Sequence, residues 1–383
     1  MAVARNSGED RGADSDSIRY LTTLSPIRPE RLGSLRRRLA FVAWAPGLGR
    51  PLLDLATIHH ARWIIVPSLP HPDGGPRRWP LNWHYLLFDA TYDGPAIDYL
   101  DTFSDVIPDR ISAVFGTCFG FEARVEDAPG ADRGGLPAYA FREYVRQNQL
   151  SALETRSYLT ETANGADRVG SIRQALAIER MQLSSRPLSG PALGRAQSKI
   201  EALALGPPSS APGWRDAVLG PWLRKARPGR SINPLTIAAP VSGQGVDGLA
   251  GASLAGLEDT LSARLTLLPR NMQAHLGQQY PDRLPAEYLL FTSDYYGALH
   301  DYIETIRSWR NVDSVFGHCV EYPGRPGRRR FRDWILRHTL DVQYYVSGYA
   351  SRPVKELNDL LNVRRQIARW SLDRSIDREE RDR

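Results

Sequence analysis

The sequence is poor in several things at once. Its 383 residues hold two cysteines and three methionines, and lysine occurs only at positions 199, 225 and 355. So few cysteines exclude a disulfide-stapled scaffold. Together with the polar, acidic opening stretch MAVARNSGEDRGADSDS, they lead us to expect a cytoplasmic protein without a signal peptide. No apolar run approaches the roughly 20 residues that cross a bilayer, so no membrane span is expected. Because lysine is so scarce, the net charge of +6 is carried by arginine spread along the whole chain. That is a coding bias rather than a track for phosphates. The densest run, GRPGRRRFRDW at 324–334, reads as a solvated helix entry, with an anion site as the alternative. No aromatic-and-basic nucleic-acid motif accompanies it, so no nucleic-acid partner is expected. Walker loops, zinc spacing, paired carboxylates and a Ser-His-Asp signature are also missing, and no metal ligands are assigned.

What the chain does have is globular composition, 42% hydrophobic and 24% charged, and length enough for two cores. It also repeats itself. VFGTCFGFE at 114–122 returns as VFGHCVEYP at 315–323. HYLLFDATYDGPAIDYLDTFSD (84–105) matches EYLLFTSDYYGALHDYIETIRS (287–308), and HHARWIIVPS (59–68) matches LSARLTLLPR (261–270). Upstream, FVAWAP (41–46) faces LTIAAP (235–240); downstream, FREYVRQNQL (141–150) faces FRDWILRHTL (331–340). Ile172 and Leu176 then face Leu357 and Leu361 on a helical stripe. Ordered matches of this kind are the signature of a tandem duplication.

Inside each copy the periodicity gives β-α-β-β-α-β. LAFVAWA (39–45) reads as a buried strand and RPLLDLATIHH as a helix. RWIIVP and HYLLFDATY read as strands, 95–107 as a helix with Ile97, Leu100 and Phe103 on one face, and ISAVFGTCFGF as the last strand. The expected fold is α+β: a tandem duplication of a ferredoxin-like βαββαβ module, with added C-terminal helices in each copy. Packing the two bare sheet faces together gives an intramolecular pseudo-twofold α+β barrel. The expected limits are a lead-in at 1–35, module 1 at 36–182, a linker with a short helix at 183–228, module 2 at 229–372 and a charged tail at 373–383.

This architecture resembles the dimeric α+β barrel superfamily, which includes dye-decolorising peroxidases, chlorite dismutases and small non-haem monooxygenases. The resemblance implies a small-molecule pocket between the modules and an oxidoreductase, either haem-dependent and peroxidase-like or monooxygenase-like. The alternative is a non-catalytic binding or scaffold protein that keeps the barrel without haem. AHLGQQYP (274–281) has the His-to-Pro spacing of the peroxidases' axial-ligand segment, so the resemblance implies His275 as a haem ligand. The Gly-x-x-Asp-Gly signature of those peroxidases is absent; ATYDG (90–94) and QGVDG (244–248) both lack its first glycine. The alternative for His275 is a loop residue.

Differences between the copies supply the other candidates. His318 stands where copy one has Thr117, and on a strand it would share the inward face of Phe316 and Val320. There it would ligate iron or shuttle a proton; otherwise it is a core histidine. His60 becomes Ser262 in copy two, whereas Arg62 persists as Arg264. An arginine kept in both copies is a paired structural charge or an anion hook, with the structural reading favoured for Arg264. The expected catalytic set is therefore His60, Arg62 and His318, with His275 and Arg264 binding a cofactor. Cys118 and Cys319 match and are read as packing. GQGVDG (243–248) fits Gly-x-Gly-x-x-Gly but is read as a helix-entry loop.

Overall fold

The computed structural model describes residues 18–44, 58–126, 136–159, 168–205, 231–243, 245–349 and 352–381. The protein is mixed α and β, with two four-stranded sheets whose pairings are all antiparallel. Among the described residues no helix is long and apolar enough to cross a membrane.

The chain opens with β1 (Ile18–Pro26), α1 (Leu32–Trp44) and the hairpin of β2 (Ile58–Pro70) and β3 (Arg78–Asp93). Helices α2 (Ala96–Val106), α3 (Pro108–Phe115), α4 (Phe121–Glu126) and α5 (Ala138–Asn148) follow, then β4 (Ala152–Ser157). Two helices come next, α6 (Arg168–Ser185) and α7 (Gly190–Leu205). The second half has β5 (Ile232–Pro240), a short helix α8 (Gly245–Gly248), β6 (Thr260–Leu268) and β7 (Tyr288–Tyr296). It closes with α9 (Leu299–Ser308), α10 (Val312–Phe316), α11 (Arg328–His338), β8 (Tyr344–Ser347) and the long α12 (Val354–Arg381).

The sheet orders are β1-β3-β2-β8 and β4-β6-β7-β5. Each half thus donates its last strand to the other half's sheet. Before crossing, that segment also touches its own first strand: Gln149 bridges Thr23, and Thr339 bridges Ile237. The faces between the sheets meet in one core of Leu24, Ile64, Val66, Tyr85 and Leu87 against Ala238, Leu268, Tyr288 and Leu290. Outer faces are covered by helices, with Phe88, Phe103, Phe115 and Phe141 together in the first half and Phe291, Phe316 and Trp334 in the second. Tyr92 stacks on Tyr99 at 3.8 Å and Tyr295 on Tyr302 at 4.0 Å, the same strand-to-helix contact in each half. Ile172 and Leu176 of α6 pack directly on Leu357 and Leu361 of α12.

Several expectations are corrected. LAFVAWA is not a strand: its residues through Trp44 belong to α1, where Leu35 and Leu39 bury one stripe while Phe41 and Trp44 are exposed. Two apolar residues on the solvent side turned an amphipathic helix into an apparently continuous run. The first strand is Ile18–Pro26, inside the stretch expected to be a lead-in, so the first half begins before residue 36. Its partner by position is Ile232–Pro240: Pro26 pairs with Tyr85, and Pro240 with Tyr288. ISAVFGTCFGF is not a strand either. Pro108 begins α3, Ile111 and Phe115 bury one face of it, and Gly116 ends it, leaving Cys118 a single bridge to Ile27. Cys319 does the same with Val241 after α10. The true fourth strands lie further on. The supposed tail after 372 continues α12 to Arg381, and α6 runs across the limit drawn at 182. The helix expected around Leu52, Leu53 and Leu55 lies outside the described residues, as does most of the stretch between α7 and β5.

Candidate functional site

Strand alternation sends Arg62, Ile64 and Val66 toward the facing sheet and Ala61, Trp63 and Ile65 toward the helices. The inner layer is polar at one end and apolar in its middle. In register, Arg62 lies opposite Asp89, and Ser262 lies opposite Asp294.

Arg62 is the hub of the polar end. Its Nη2 is 2.6 Å from Asp294 Oδ1, and its Nε is 3.3 Å from Asp89 Oδ2. Nη1 donates to the Leu235 carbonyl at 2.9 Å, the Ser293 carbonyl at 3.2 Å and Thr236 Oγ1 at 3.3 Å. Every one of these partners except Asp89 belongs to the second sheet. Burial opposes the guanidinium charge, but Asp294 and Asp89 outweigh it and raise its pKa above the ordinary value. The carboxylates are held in turn, Asp89 by Thr22 Oγ1 at 2.6 Å and Asp294 by Ser262 Oγ at 2.7 Å. Arg264 is less well matched: its Nη1 is 3.8 Å from Asp89 and its Nη2 donates to Leu150 O at 3.4 Å. Burial lowers its pKa, with Asp89 partly opposing.

His60 joins this cluster. Its Nδ1 is 2.8 Å from the Tyr345 hydroxyl and 3.9 Å from Asp294. Burial pulls its pKa down to about 4; Asp294 partly offsets this, while His59 and Arg62 add to it. The imidazole is therefore neutral at neutral pH. Next to it, His59 lies between Asp93, at 3.0 Å, and the Tyr349 hydroxyl.

The structure brings His60, Arg62 and Arg264 together and leaves His318 elsewhere. His318 sits half-buried in the turn after α10, where its imidazole lies against Gly248 and its carbonyl accepts from Ser242 N–H. An added Cβ on Gly248 would come within 2.2 Å of its Cε1, and one on Gly245 within 2.8 Å of its carbonyl oxygen. The glycine pattern of 243–248 thus lets a short helix approach His318, not a dinucleotide. The inward-facing strand that placed His318 beside His60 does not exist. Sequence reasoning also passed over Asp89, Asp294 and Tyr345. A carboxylate inside the apolar strands YLLFDATY and LLFTSDYY was the available signal.

His275 marks a second place, where the halves meet. It is 7% exposed, and Gly120 of the first half packs over it: an added Cβ there would lie 3.4 Å from Nδ1. Beside it is a cavity of about 190 Å³. Its walls come from Leu24 and Tyr85 of the first sheet, Gln147 through Leu150 at the end of α5 and just beyond it, and the 269–275 loop after β6. Five side-chain amides line it, from Gln147, Asn148, Gln149, Asn271 and Gln273. Asn148 Nδ2 donates to Tyr144 O at 2.8 Å, which fixes the amide's orientation. Its Oδ1 is then buried with no partner among the described residues. Behind the loop, Asp282 accepts from the N–H groups of Asn82 and Trp83 and from the Tyr85 hydroxyl, securing the seam.

Comparison with protein-family models and with curated proteins finds no match for this chain. Its chemistry therefore has to be read from the site.

A haem, which the resemblance implies, does not fit these residues. The cavity at His275 is about 190 Å³, below the roughly 300–1,000 Å³ of pockets for drug-sized ligands. Farther in, the apolar layer between the sheets leaves about 10 Å³. Apart from haem, a bare metal ion finds no cage: among the described residues no group of three or more His, Cys, Asp or Glu is placed to hold one. Burial pushes the Cys118 and Cys319 thiols up to about 12, so neither is a thiolate nucleophile. Another cavity, of about 260 Å³, lies outside the first sheet between α1, α3, Trp63 and Tyr344. In the second half the matching flank is filled by Leu254, whose N–H donates to Glu154, while Asn311 holds the carbonyls of Ser253 and Ala255. Residues 45–57, which follow α1 beside this outer cavity, lie outside the described residues.

Proposed function

We propose that this chain is a tandem duplication of a ferredoxin-like unit, closed into an α+β barrel by exchange of the two last strands. We further propose that it works as a small-molecule-binding protein rather than a haem-dependent or monooxygenase-like oxidoreductase. The matched strand orders, the paired Tyr92–Tyr99 and Tyr295–Tyr302 stacks and the two crossing segments support the duplication. The observation that carries the binding role is the cavity at the seam, with a buried acceptor on Asn148 that has no partner among the described residues and a mixed polar and apolar wall.

The Arg62 cluster supports a structural reading of the barrel interior. Arg62 spends its donors on the protein itself, and none of the cavities described above is lined by His60, Asp89 or Asp294. A catalytic reading would rest on the neutral His60 and its Tyr345 partner, and it would require a substrate to displace that network. A thermal-shift screen of small fragments tests the binding role, run on the protein and on a Gln273→Trp variant that plugs the rim. Stabilising fragments should lose their effect in the variant. Fragments that stabilise both proteins equally would contradict the proposal, as would an intense Soret band after haem addition.

A further inference from the structure

Resting on that reading, we infer that the seam cavity takes an uncharged molecule that donates a hydrogen bond to Asn148, with a flat body of nucleobase or aromatic-amide type. Three observations carry this. The described side chains around the cavity include no carboxylate, lysine or arginine, so a buried ligand cation would find no counter-charge and an anion only the His275 imidazole beneath Gly120. Asn148 Oδ1 is a buried acceptor at the end of α5, where the last helical carbonyls also favour donors over acceptors. The remaining wall is apolar, from Leu24, Tyr85, Pro269 and Met272, and the Tyr85 ring suits a planar partner. At about 190 Å³ the space holds about six waters at ~30 Å³ each, enough for a single ring with one substituent. The exposed amides of Gln149, Asn271 and Gln273 can each donate or accept at the mouth, which orients a ligand without demanding charge.

The test uses four molecules of one shape, followed by saturation-transfer NMR at millimolar concentration with the whole chain. Nicotinamide is neutral and donates; 3-acetylpyridine is neutral and cannot donate from its side group; nicotinate is an anion; 3-(aminomethyl)pyridine is a cation. Nicotinamide should bind, with 3-acetylpyridine about tenfold weaker for one unmade bond to a buried acceptor. The two ions should be weaker by at least about the same factor. Asn148→Leu should erase the preference for nicotinamide over 3-acetylpyridine; Asn148→Ser, which keeps an acceptor in a smaller side chain, should retain part of it should the leucine variant fail to fold. Equal binding of all four, abolished by Gln273→Trp, would overturn the ligand class and leave the binding site standing. Tighter binding of either ion would also overturn it. Silence from all four would contradict the site itself.

Discussion

Replacing Arg62 by methionine tests whether the polar end of the barrel is a latch. The substitution keeps the length of the apolar stem and removes the donors that reach Asp294, Asp89, Thr236 and the carbonyls of Leu235 and Ser293. Two buried carboxylates lose their shared cation, and removing one partner from a buried ion pair costs about 3–5 kcal/mol. Counting the roughly 300 described residues at about 2.1 cal/mol/K each, the melting entropy is about 0.6 kcal/mol/K, and the midpoint falls by roughly 5–8 °C if the sheets melt together. Urea and thermal melts followed by circular dichroism read this directly. Arg62→Lys keeps the charge but not the fork, and should fall between the two. An Arg62→Met protein within about 1 kcal/mol of the parent would refute the latch, because a buried charge paired with two carboxylates cannot be removed so cheaply.

Arg264→Met should cost less than Arg62→Met, under about 2 kcal/mol, because Arg264 has one distant ion-pair contact and burial already disfavours its charge; an equal or larger loss in the same melts would contradict this ranking. Acid should destabilise the fold through His60 and His338, both pulled by burial from the ordinary 6.5 to about 4. The unfolded chain then binds protons that the folded one refuses, so stability is complete above pH 6.5 and falls as the pH drops toward 4, on the order of 3 kcal/mol for each histidine. Urea melts between pH 7 and 4 should show a shallower slope for His338→Gln than for the parent, and identical slopes would count against the assignment. Cys118 and Cys319 should resist a thiol reagent at pH 8 until the protein unfolds, since burial holds both thiols near 12; rapid labelling of the native protein would show that they are accessible.

Much of the architecture is legible in the sequence because the matched blocks are the strands and helices that carry the most buried surface. Strands β2 and β3, helix α2 and their counterparts β6, β7 and α9 all overlap repeated phrases. The first strand escaped because IRYLTTLSP buries Thr22, Thr23 and Ser25 beside Leu21 and Leu24, which breaks the apolar alternation on both faces. The last strands escaped because they are short and pair outside their own half, a choice made by tertiary closure rather than by local sequence. His318 was misplaced by the same route: VFGHCV looks like a strand, and the turn of helix ending at Gly317 is set by packing on Trp334 and Phe291. The pairing of His60 with Arg62 survived because strand alternation is robust, whereas their carboxylate partners on facing strands were invisible to spacing. The amides of the seam cavity lie in RQNQL and RNMQ, more than a hundred residues apart, and only the meeting of the two halves makes them one surface.

The most direct measurement is a crystal structure of the protein grown with nicotinamide. The account predicts density for the ligand at the seam, bounded by Tyr85, Met272 and His275, with its amide N–H within hydrogen-bond distance of Asn148 Oδ1 and the Arg62 network unchanged. Ligand density between the sheets beside His60 and Arg62, or a seam closed by the side chains of Gln149 and Gln273 with no room for a guest, would contradict it.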